Sequence, residues 1–357
     1  MPVYWSLFII SFLSFLFSTP DPEGIRNHRA MIFTLLVTLI IASCRDVVQD
    51  TYAYVMMFEE LPLNWASFFD QYKMDNPLWG FCLFTTAFKI YFVENHYLWF
   101  AFICGSSIYA IYYSFKRYSV DPAFSVFLFI SSTSFTWLLN GMRQFWVVCI
   151  LFAFSNWLLE GKKIKFLILV FLLGFIHRSS WFIIPIIWFV SAEEIFNKRI
   201  FLVVFFTGVG LFISDSVFSS VMEFTGKDYT QSLESGGGSN IIRFLVAAVP
   251  TVIAFFNKEK LTDSPKHIKL AVNMSLVGAC FMFASTFTNG VLIGRMPIYF
   301  FLYNYFLLPY LIRKCFLEME TQIVFYCIFF YSLFFYFQMC IAWKGLPYVS
   351  YILNINV

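Results

Sequence analysis

The chain has 357 residues, of which 60% are hydrophobic and 13% are charged, with a formal net charge of +3 and a mean hydropathy of +0.74. An ordinary soluble domain carries about 25% charged residues and needs polar groups on its surface. The composition therefore excludes a soluble enzyme, a nucleic-acid-binding module and a disordered scaffold. Its apolar residues form continuous runs rather than alternating with polar ones, which excludes a membrane β-barrel. The sequence predicts an all-α polytopic integral membrane protein.

The continuous apolar runs predict membrane-embedded helices. A spanning helix needs about 20 apolar residues, so residues 1–357 should form a single transmembrane domain with about 12 to 13 hydrophobic segments. The segments 166–176 and 179–192 are short, so they form either two short helices that meet near one membrane face or one broken span. The predicted segments are 3–19, 30–44, 78–93, 97–115, 123–139, 145–159, 166–176, 179–192, 200–214, 241–257, 270–290, 297–312 and 321–341.

Basic residues predict the orientation of these segments, because cytoplasmic loops carry an excess of Lys and Arg. From Lys162 onward, basic clusters alternate with less basic loops, so the clusters should face the cytoplasm. The loop 45–77 contains six acidic and two basic residues and is predicted to face outward. A second outer loop, 214–240, contains three consecutive glycines and is predicted to be a mobile flap over a cavity. This orientation requires an odd number of crossings in 78–115, so we expect 78–93 to be re-entrant or interfacial.

The cysteines and histidines do not have the spacing of a metal site. The eight cysteines lie in or beside apolar runs and form no C-x-x-C pair, so we expect them to pack as small hydrophobic residues. The four histidines are far apart in the sequence. We therefore predict no metal and no cofactor.

Lone arginines are the first candidates for function. They stand at or near the predicted outer ends of spans, whereas the predicted cytoplasmic clusters favour lysine. Charge inside a membrane segment is costly and usually faces a cavity or a partner, and the planar guanidinium binds phosphate bidentately. Convergence on one outward cavity would suit a diphosphate, while the alternative is snorkelling or pairing with acidic residues. These arginines are Arg45, Arg143, Arg178, Arg243 and Arg295.

Two further residues are candidates for proton transfer. His177 lies beside Arg178 at a break in the apolar sequence, where a neighbouring cation favours the neutral imidazole. A neutral imidazole acts as a base or hydrogen-bonds a hydroxyl, although a lone buried histidine is often structural. Asp50 begins the acidic outer loop, where a carboxylate would activate or bind a sugar hydroxyl, and the alternative for it is a solvated acidic face.

Four stretches in order, over about residues 40–310, resemble the EpsG/Wzy type of O-antigen and exopolysaccharide repeat-unit polymerases. The first is similar to R-x-V-G-x-D-T-x-x-Y, but this chain has no glycine before Asp50, which Gln49 precedes. The third is similar to K-K…F-H-x-S, and the fourth to a late R-x-x-x-Y-F. The four stretches are Arg45 to Tyr54, Asn140 to Gln144, Lys162-Lys163 followed by Phe175 to Ser180, and Gly294 to Phe300.

This resemblance implies a multi-pass, GT-C-like glycosyltransferase of the bacterial inner membrane. Such an enzyme joins oligosaccharide units carried on undecaprenyl diphosphate, with its active site and the loops 45–77 and 214–240 facing the periplasm. It uses no nucleotide sugar. Its partners are the lipid-linked donor and acceptor and the membrane lipids, and the resemblance leaves open a polysaccharide chain-length regulator.

A flippase or transporter of polyprenyl-linked oligosaccharides is the alternative, because it would bind its cargo through the same arginines. Transporters usually contain inverted repeats, and none is visible in this sequence. A ligase that moves finished glycan onto the lipid A core is a third hypothesis, within the enzyme class.

Overall fold

The computed structural model divides into two compact units. The first combines Met1–Ala153 with Phe316–Val357, and the second comprises Phe154–Cys315. Each unit is built from helices joined by loops, as the sequence predicts. The residues that the structure describes are 1–18, 28–212, 237–288 and 293–357.

The helices are numbered in chain order through both units. Helices α1 to α8 and α16 belong to the first unit, and α9 to α15 belong to the second. The bounds are α1 Pro2–Leu16, α2 His28–Ser43, α3 Thr51–Glu60, α4 Trp65–Gln71, α5 Trp79–Tyr91, α6 His96–Tyr118, α7 Pro122–Ser131, α8 Met142–Ala153, α9 Asn156–Leu159, α10 Lys163–Leu173, α11 Ile183–Phe189, α12 Ile200–Phe212, α13 Ile241–Phe256, α14 Lys266–Phe287, α15 Ile298–Cys315 and α16 Glu320–Tyr336.

Four helices within the described ranges are long and apolar enough to cross a membrane. A hydrocarbon core about 30 Å thick needs about 20 helical residues, and these helices have 18 to 26. Shorter apolar helices of 10–17 residues accompany them. These features confirm the predicted all-α polytopic membrane protein. The four long helices are His96–Tyr118, Met142–Leu159, Lys266–Phe287 and Leu317–Ala342.

Side-chain caps define the starts of several helices. The Oδ1 atom of Asn95 accepts a hydrogen bond from the backbone of Leu98 at 3.1 Å, and so begins α6. Asp121 does the same for α7 through the N–H of Phe124 at 2.9 Å, and Pro122 follows at the first helical position, where its missing N–H costs nothing. Such caps satisfy N–H groups that have no partner within the helix.

The loop 45–77, which is predicted to face outward, contains α3 and α4, and Lys89 of α5 connects back to it. The Lys89 ammonium is buried and donates to the carbonyls of Phe58 and Leu61, at 2.7 Å each. These carbonyls lie at the end of α3, where no helical N–H can satisfy them. Helix α5 has 13 residues and extends about 20 Å, less than the membrane core. The re-entrant or interfacial placement of 78–93 stays a prediction.

The C-terminal segment pairs with the start of the same loop. Its two short strands, β1 (Val349–Ser350) and β2 (Ile355–Asn356), are antiparallel. The carbonyl of Val349 accepts a hydrogen bond from Asp46 N at 2.8 Å, and Val349 N donates to the Val47 carbonyl at 3.1 Å. The C-terminus therefore holds the backbone immediately after Arg45.

Two side chains reinforce this pairing. The Asp46 carboxylate accepts hydrogen bonds from the Tyr97 hydroxyl and, at 2.7 Å, from the backbone N–H of Tyr351. Tyr348 is fully buried, and its hydroxyl donates to the Ile41 carbonyl at 2.8 Å. Burial raises the pKa of the Tyr348 phenol, so the group stays protonated and remains a donor at neutral pH.

In the second unit, α10 and α11 form an antiparallel hairpin. Lys163, at the start of α10, donates to the carbonyls of Trp188 and Val190 at 3.0 and 2.9 Å, so the open ends of the two helices lie together. At the tip, a Cβ at Gly174 would collide with the Trp181 indole, which therefore needs glycine there. Of the two arrangements predicted for 166–192, the structure has the two short helices.

The remaining helices of this unit, α13, α14 and α15, pack together, and α12 packs against α14. Lys260, which follows α13, donates to the Cys315 carbonyl at the end of α15 at 3.0 Å. The loop after α11 is held on α14, because the buried Asn273 amide donates to the Ser191 and Glu194 carbonyls at 2.9 and 2.7 Å. Through these contacts, the lysine-rich helix ends of the second unit lie close together.

Most of the predicted second outer loop, 214–240, lies outside the described residues, which resume at Gly237. The described end of this loop is packed against α14. Ser239 N donates to the Ser285 carbonyl at 2.7 Å, and a Cβ at Gly238 would collide with the Thr286 carbonyl. Glycine is therefore required at 238 because two backbones meet there.

We expect Tyr348→Ala to lower the apparent thermal midpoint of the purified protein, because it removes a buried ring and a hydrogen bond. Truncating a buried aromatic side chain costs about 3–5 kcal/mol. Tyr348→Phe, which loses only the hydrogen bond, should cost about 1 kcal/mol. The matched control is Tyr351→Ala, whose side chain is 75% exposed in the same segment. Equal effects at 348 and 351 would contradict the packing role of the C-terminus.

Candidate functional site

The predicted site residues divide between the two units. Arg45, Asp50 and Arg143 belong to the first unit, and the second contains the other four. Within each unit, the structure shows which of these residues share an end of the helices and which neighbours they contact. The four in the second unit are His177, Arg178, Arg243 and Arg295.

Arg45 is fully buried just after the end of α2. Its Nε donates to the Thr51 hydroxyl at 3.1 Å, and one terminal nitrogen donates to the Ala42 carbonyl. The other terminal nitrogen lies 3.2 Å from the Met142 sulfur, and the guanidinium stacks 4.1 Å from the Phe100 ring centroid. These contacts join α2, α3, α6 and the start of α8, so Arg45 organises the fold here.

Asp50 immediately precedes α3, on a backbone turn made by the residue before it. Gln49 has φ +44°, a left-handed conformation that favours glycine and costs other residues about 1 kcal/mol. A glycine at position 49 would adopt this conformation without that cost. The Asp50 side chain is partly exposed and makes no capping hydrogen bond to α3. Its carboxylate lies at the positive end of the helix dipole.

Arg143 lies in the first turn of α8 and is 9% exposed. The preceding Gly141 has φ +79°, and a Cβ there would press on the Trp137 ring. The Tyr54 hydroxyl accepts a hydrogen bond from the Arg143 backbone N–H at 3.5 Å. Burial raises the pKa of Tyr54, and the positive charge of Arg143 opposes this. Tyr54 thus links the helix that Asp50 begins to the start of α8.

His177 lies at the tip of the hairpin formed by α10 and α11. Its Nδ1 atom is 2.7 Å from the hydroxyl oxygen of Ser179. The same oxygen is 2.8 Å from the hydroxyl of Tyr299, in the first turn of α15. Tyr299 is buried. A continuous chain of hydrogen bonds therefore joins the imidazole to α15.

The starts of α13 and α15 meet at the same end of the second unit. Arg243 lies in the first turn of α13, and Arg295 lies in the short 3₁₀ turn that precedes α15. A Cβ at Gly294 would lie 2.8 Å from the Ser239 hydroxyl oxygen, so glycine permits the close approach of the two segments. The backbone bond from Ser239 to α14 completes this end.

The arginines differ in which end of a helix they occupy. Arg143 and Arg243 open α8 and α13, Arg295 precedes α15, and Arg178 begins the 3₁₀ turn before α11. The start of a helix carries a partial positive charge, so a cation there adds to that charge. An anion placed beside such a helix start would be stabilised by both the arginine charge and the helix dipole. Arg45, in contrast, follows the end of α2.

The structure identifies three residues that the sequence reasoning did not select: Tyr54, Ser179 and Tyr299. All three fall within the quoted stretches that resemble the EpsG/Wzy type. Their hydroxyl groups make the contacts described above, with partners up to 120 positions away in sequence. These residues match letters of the quoted patterns, but the patterns contain no information about their partners in space.

The described residues contain no group of three or more His, Cys, Asp or Glu side chains that could hold a metal ion. In the second unit, the candidate polar groups are arginines, hydroxyls and one imidazole, which can bind an oxyanion and transfer a proton. In the first unit they are Arg143, the Tyr54 hydroxyl and the Asp50 carboxylate, which can bind an oxyanion and hydrogen-bond sugar hydroxyls.

Fold and residues together define a polytopic α-helical membrane protein. Four of its five candidate arginines lie at or just before helix starts. The EpsG family model matches residues 29–353, and the chain therefore belongs to the EpsG family. No curated protein and no solved structure matches the chain. Family membership confirms the resemblance seen in the motifs and supports a general role of the polysaccharide-polymerase type in a membrane.

Proposed function

We propose that the chain is a glycosyltransferase that polymerises undecaprenyl-diphosphate-linked oligosaccharide repeat units at the periplasmic face of the bacterial inner membrane. One observation carries the proposal. Arg143, Arg178, Arg243 and Arg295 all lie at or just before helix starts, where the helix dipole adds to their charge. Within each unit, an arginine in such a position is suited to an anion that is part of the substrate, such as a diphosphate.

The reaction assigns a task to these arginines. A hydroxyl of the acceptor sugar attacks the anomeric carbon of the donor, and the bond from that carbon to the diphosphate oxygen breaks. The electron pair leaves with undecaprenyl diphosphate, so negative charge grows on the leaving group. Guanidinium groups that hydrogen-bond it bidentately stabilise that charge more in the transition state than in the bound donor. We leave Arg45 out of this set because it is fully buried and follows the end of α2 instead of opening a helix.

The acceptor hydroxyl must lose its proton as the new bond forms. We assign that proton to His177, because an imidazole exchanges protons close to neutral pH. The hydrogen bond from Nδ1 to Ser179 orients the ring, so proton transfer would run through Nε2. Asp50 is assigned to binding an acceptor hydroxyl, because a partly exposed carboxylate accepts sugar O–H groups well.

The orientation in the membrane rests on charge. In the second unit, the lysine-rich ends lie together, and His177, Arg178, Arg243 and Arg295 belong to the opposite helix ends. Because Lys-rich loops stay in the cytoplasm, the arginine end would face the periplasm. Undecaprenyl-linked substrates that have crossed the membrane would be met on that side.

Loss of the gene should leave surface glycan of a single repeat unit, because export and ligation would continue without polymerisation. The measurement is electrophoresis of extracted glycan, with the wild-type chain restored on a plasmid as the control. A complete loss of surface glycan would instead indicate a flippase. A normal ladder would contradict both.

We expect Arg143→Lys, Arg178→Lys and Arg295→Lys to lose most polymer while protein abundance stays near normal. Loss of one charge-assisted contact in a dry site costs on the order of 3 kcal/mol, or roughly a hundredfold in rate. Arg→Ala should be worse at each position. The measurement is polymer yield normalised to membrane-protein level.

The matched controls are Arg117→Lys and Arg199→Lys, whose side chains are exposed near lysine-rich ends. Both should keep full activity. If the lysine variants at 143, 178 and 295 are as active as these controls, the diphosphate assignment is wrong.

We expect His177→Ala to lower polymer formation by about 10²–10⁴-fold, the usual contribution of a general base. Asp50→Asn keeps the shape and removes the charge, so it should cost about tenfold, near the free energy of one charged hydrogen bond. The control is Asp70→Asn, an exposed acid of the same loop. If His177→Ala is active and Asp50→Asn is inactive, the role of general base belongs to Asp50 instead of His177.

A further inference from the structure

The imidazole of His177 has two neutral tautomers, and they perform opposite tasks. With the hydrogen on Nδ1, the Nε2 atom is a base that accepts a proton. With the hydrogen on Nε2, that atom is a donor and cannot accept one. The activity of a histidine at a reacting hydroxyl therefore depends on which tautomer its other nitrogen stabilises.

The hydroxyl of Ser179 bears directly on that choice, because it contacts Nδ1 and has a single hydrogen. Its oxygen lies between His177 Nδ1 at 2.7 Å and the Tyr299 hydroxyl at 2.8 Å. If Ser179 donates to Tyr299, its oxygen is left to accept the Nδ1–H. If Ser179 donates to Nδ1, the ring hydrogen must sit on Nε2. The direction of the Ser179–Tyr299 bond and the tautomer are therefore coupled.

Tyr299 and the hairpin tip that contains Ser179 are both packed against their surroundings. Tyr299 is 6% exposed and belongs to the first turn of α15, where its N–H donates to the Met296 carbonyl at 3.2 Å. Ser180, next to Ser179, is fully buried. At the tip of the hairpin, the Trp181 indole donates to the Phe171 carbonyl at 2.8 Å. The hydroxyl chain therefore has little freedom to move away from Nδ1.

We propose that Ser179 and Tyr299 are positioning residues that hold His177 with Nδ1–H donating to Ser179 and Ser179 donating to Tyr299. This inference rests on the proposed function, in which His177 accepts the proton of the acceptor hydroxyl. In this arrangement Nε2 takes the proton, while the acceptor oxygen bonds to the anomeric carbon and the diphosphate departs with the electron pair of the broken bond.

The direction follows from what the imidazolium requires. A protonated ring has hydrogens on both nitrogens, so Nδ1 must donate. Ser179 accepts from Nδ1 before and after proton transfer only when its own hydrogen points to Tyr299. No hydroxyl then has to rotate during the reaction. The proton is later released from Nε2 to water, which regenerates the base.

Two variants separate the members of the chain. Tyr299→Phe keeps the ring and removes the group to which Ser179 donates, so Ser179 should turn towards Nδ1 and favour the Nε2–H tautomer. Ser179→Ala removes the acceptor for Nδ1–H. Ser179→Thr retains the hydroxyl and should rescue activity. The matched control is Tyr303→Phe, a buried tyrosine one turn further along α15.

The first measurement is the ¹⁵N spectrum of histidine-labelled, full-length protein in lipid nanodiscs at neutral pH, with His177→Gln identifying the His177 signals. We expect a protonated Nδ1 in the wild type and in Tyr303→Phe, and a shift towards protonated Nε2 in Tyr299→Phe. A wild-type ring with its hydrogen on Nε2 would overturn the proposal. So would a tautomer that both Tyr299→Phe and Ser179→Ala leave unchanged.

The second measurement is polymer formation at equal protein level. Ser179→Ala and Tyr299→Phe should lower it on the order of 10- to 100-fold, within the total contribution of a general base, and Ser179→Thr should stay near wild type. Full activity in both Ser179→Ala and Tyr299→Phe would contradict the positioning role. If His177→Ala is itself active, the assigned base is wrong, while the spectrum still decides the tautomer independently.

Discussion

Helices that end in apolar surroundings must find partners for their last carbonyl groups, because neither a helical N–H nor water is available to them. Basic side chains, from the fully buried Arg45 to the exposed Lys260, supply these partners repeatedly. Arg45 donates to a carbonyl at the end of α2, Lys89 to two at the end of α3, and Lys163 and Lys260 to the ends of α11 and α15. The charge complements the negative end of each helix dipole, and the short helices of the fold can therefore end on a side chain.

The proposed diphosphate-binding arginines have the opposite relation to their helices. Arg143, Arg178, Arg243 and Arg295 lie where helices begin, so their charge and the dipole have the same sign. The difference separates cations that complete the fold from cations that suit an added anion. In the second unit, the same end also contains the hydroxyl chain from His177 to Tyr299. Charge stabilisation and proton transfer would then depend on separate groups, and each can be altered without removing the other.

Much of this arrangement was accessible from residue types and spacing. The apolar runs predicted the helices, and the isolated arginines were chosen as candidates because burial of a fixed charge demands a partner. The same reasoning placed Arg45 in the candidate set. Its position in the sequence does not show that its guanidinium contacts a carbonyl, a hydroxyl and a sulfur atom within the fold. It also treated Gln49 only as a departure from a glycine. The structure gives the physical meaning of that departure, a left-handed turn before Asp50.

Some properties of this protein are local along the chain, and the sequence alone determined them. Apolar runs long enough for helices, lysines at alternate ends and the break at His177 each need only neighbouring residues to be recognised. Tertiary structure decided which side chains meet. The hairpin brings Ser179 to Tyr299 across 120 positions, and the C-terminal strand pairs Val349 with Val47. Such contacts form when helices pack and when carbonyl groups find donors. The segments involved are far apart in the sequence, and that separation does not indicate how close they lie in space.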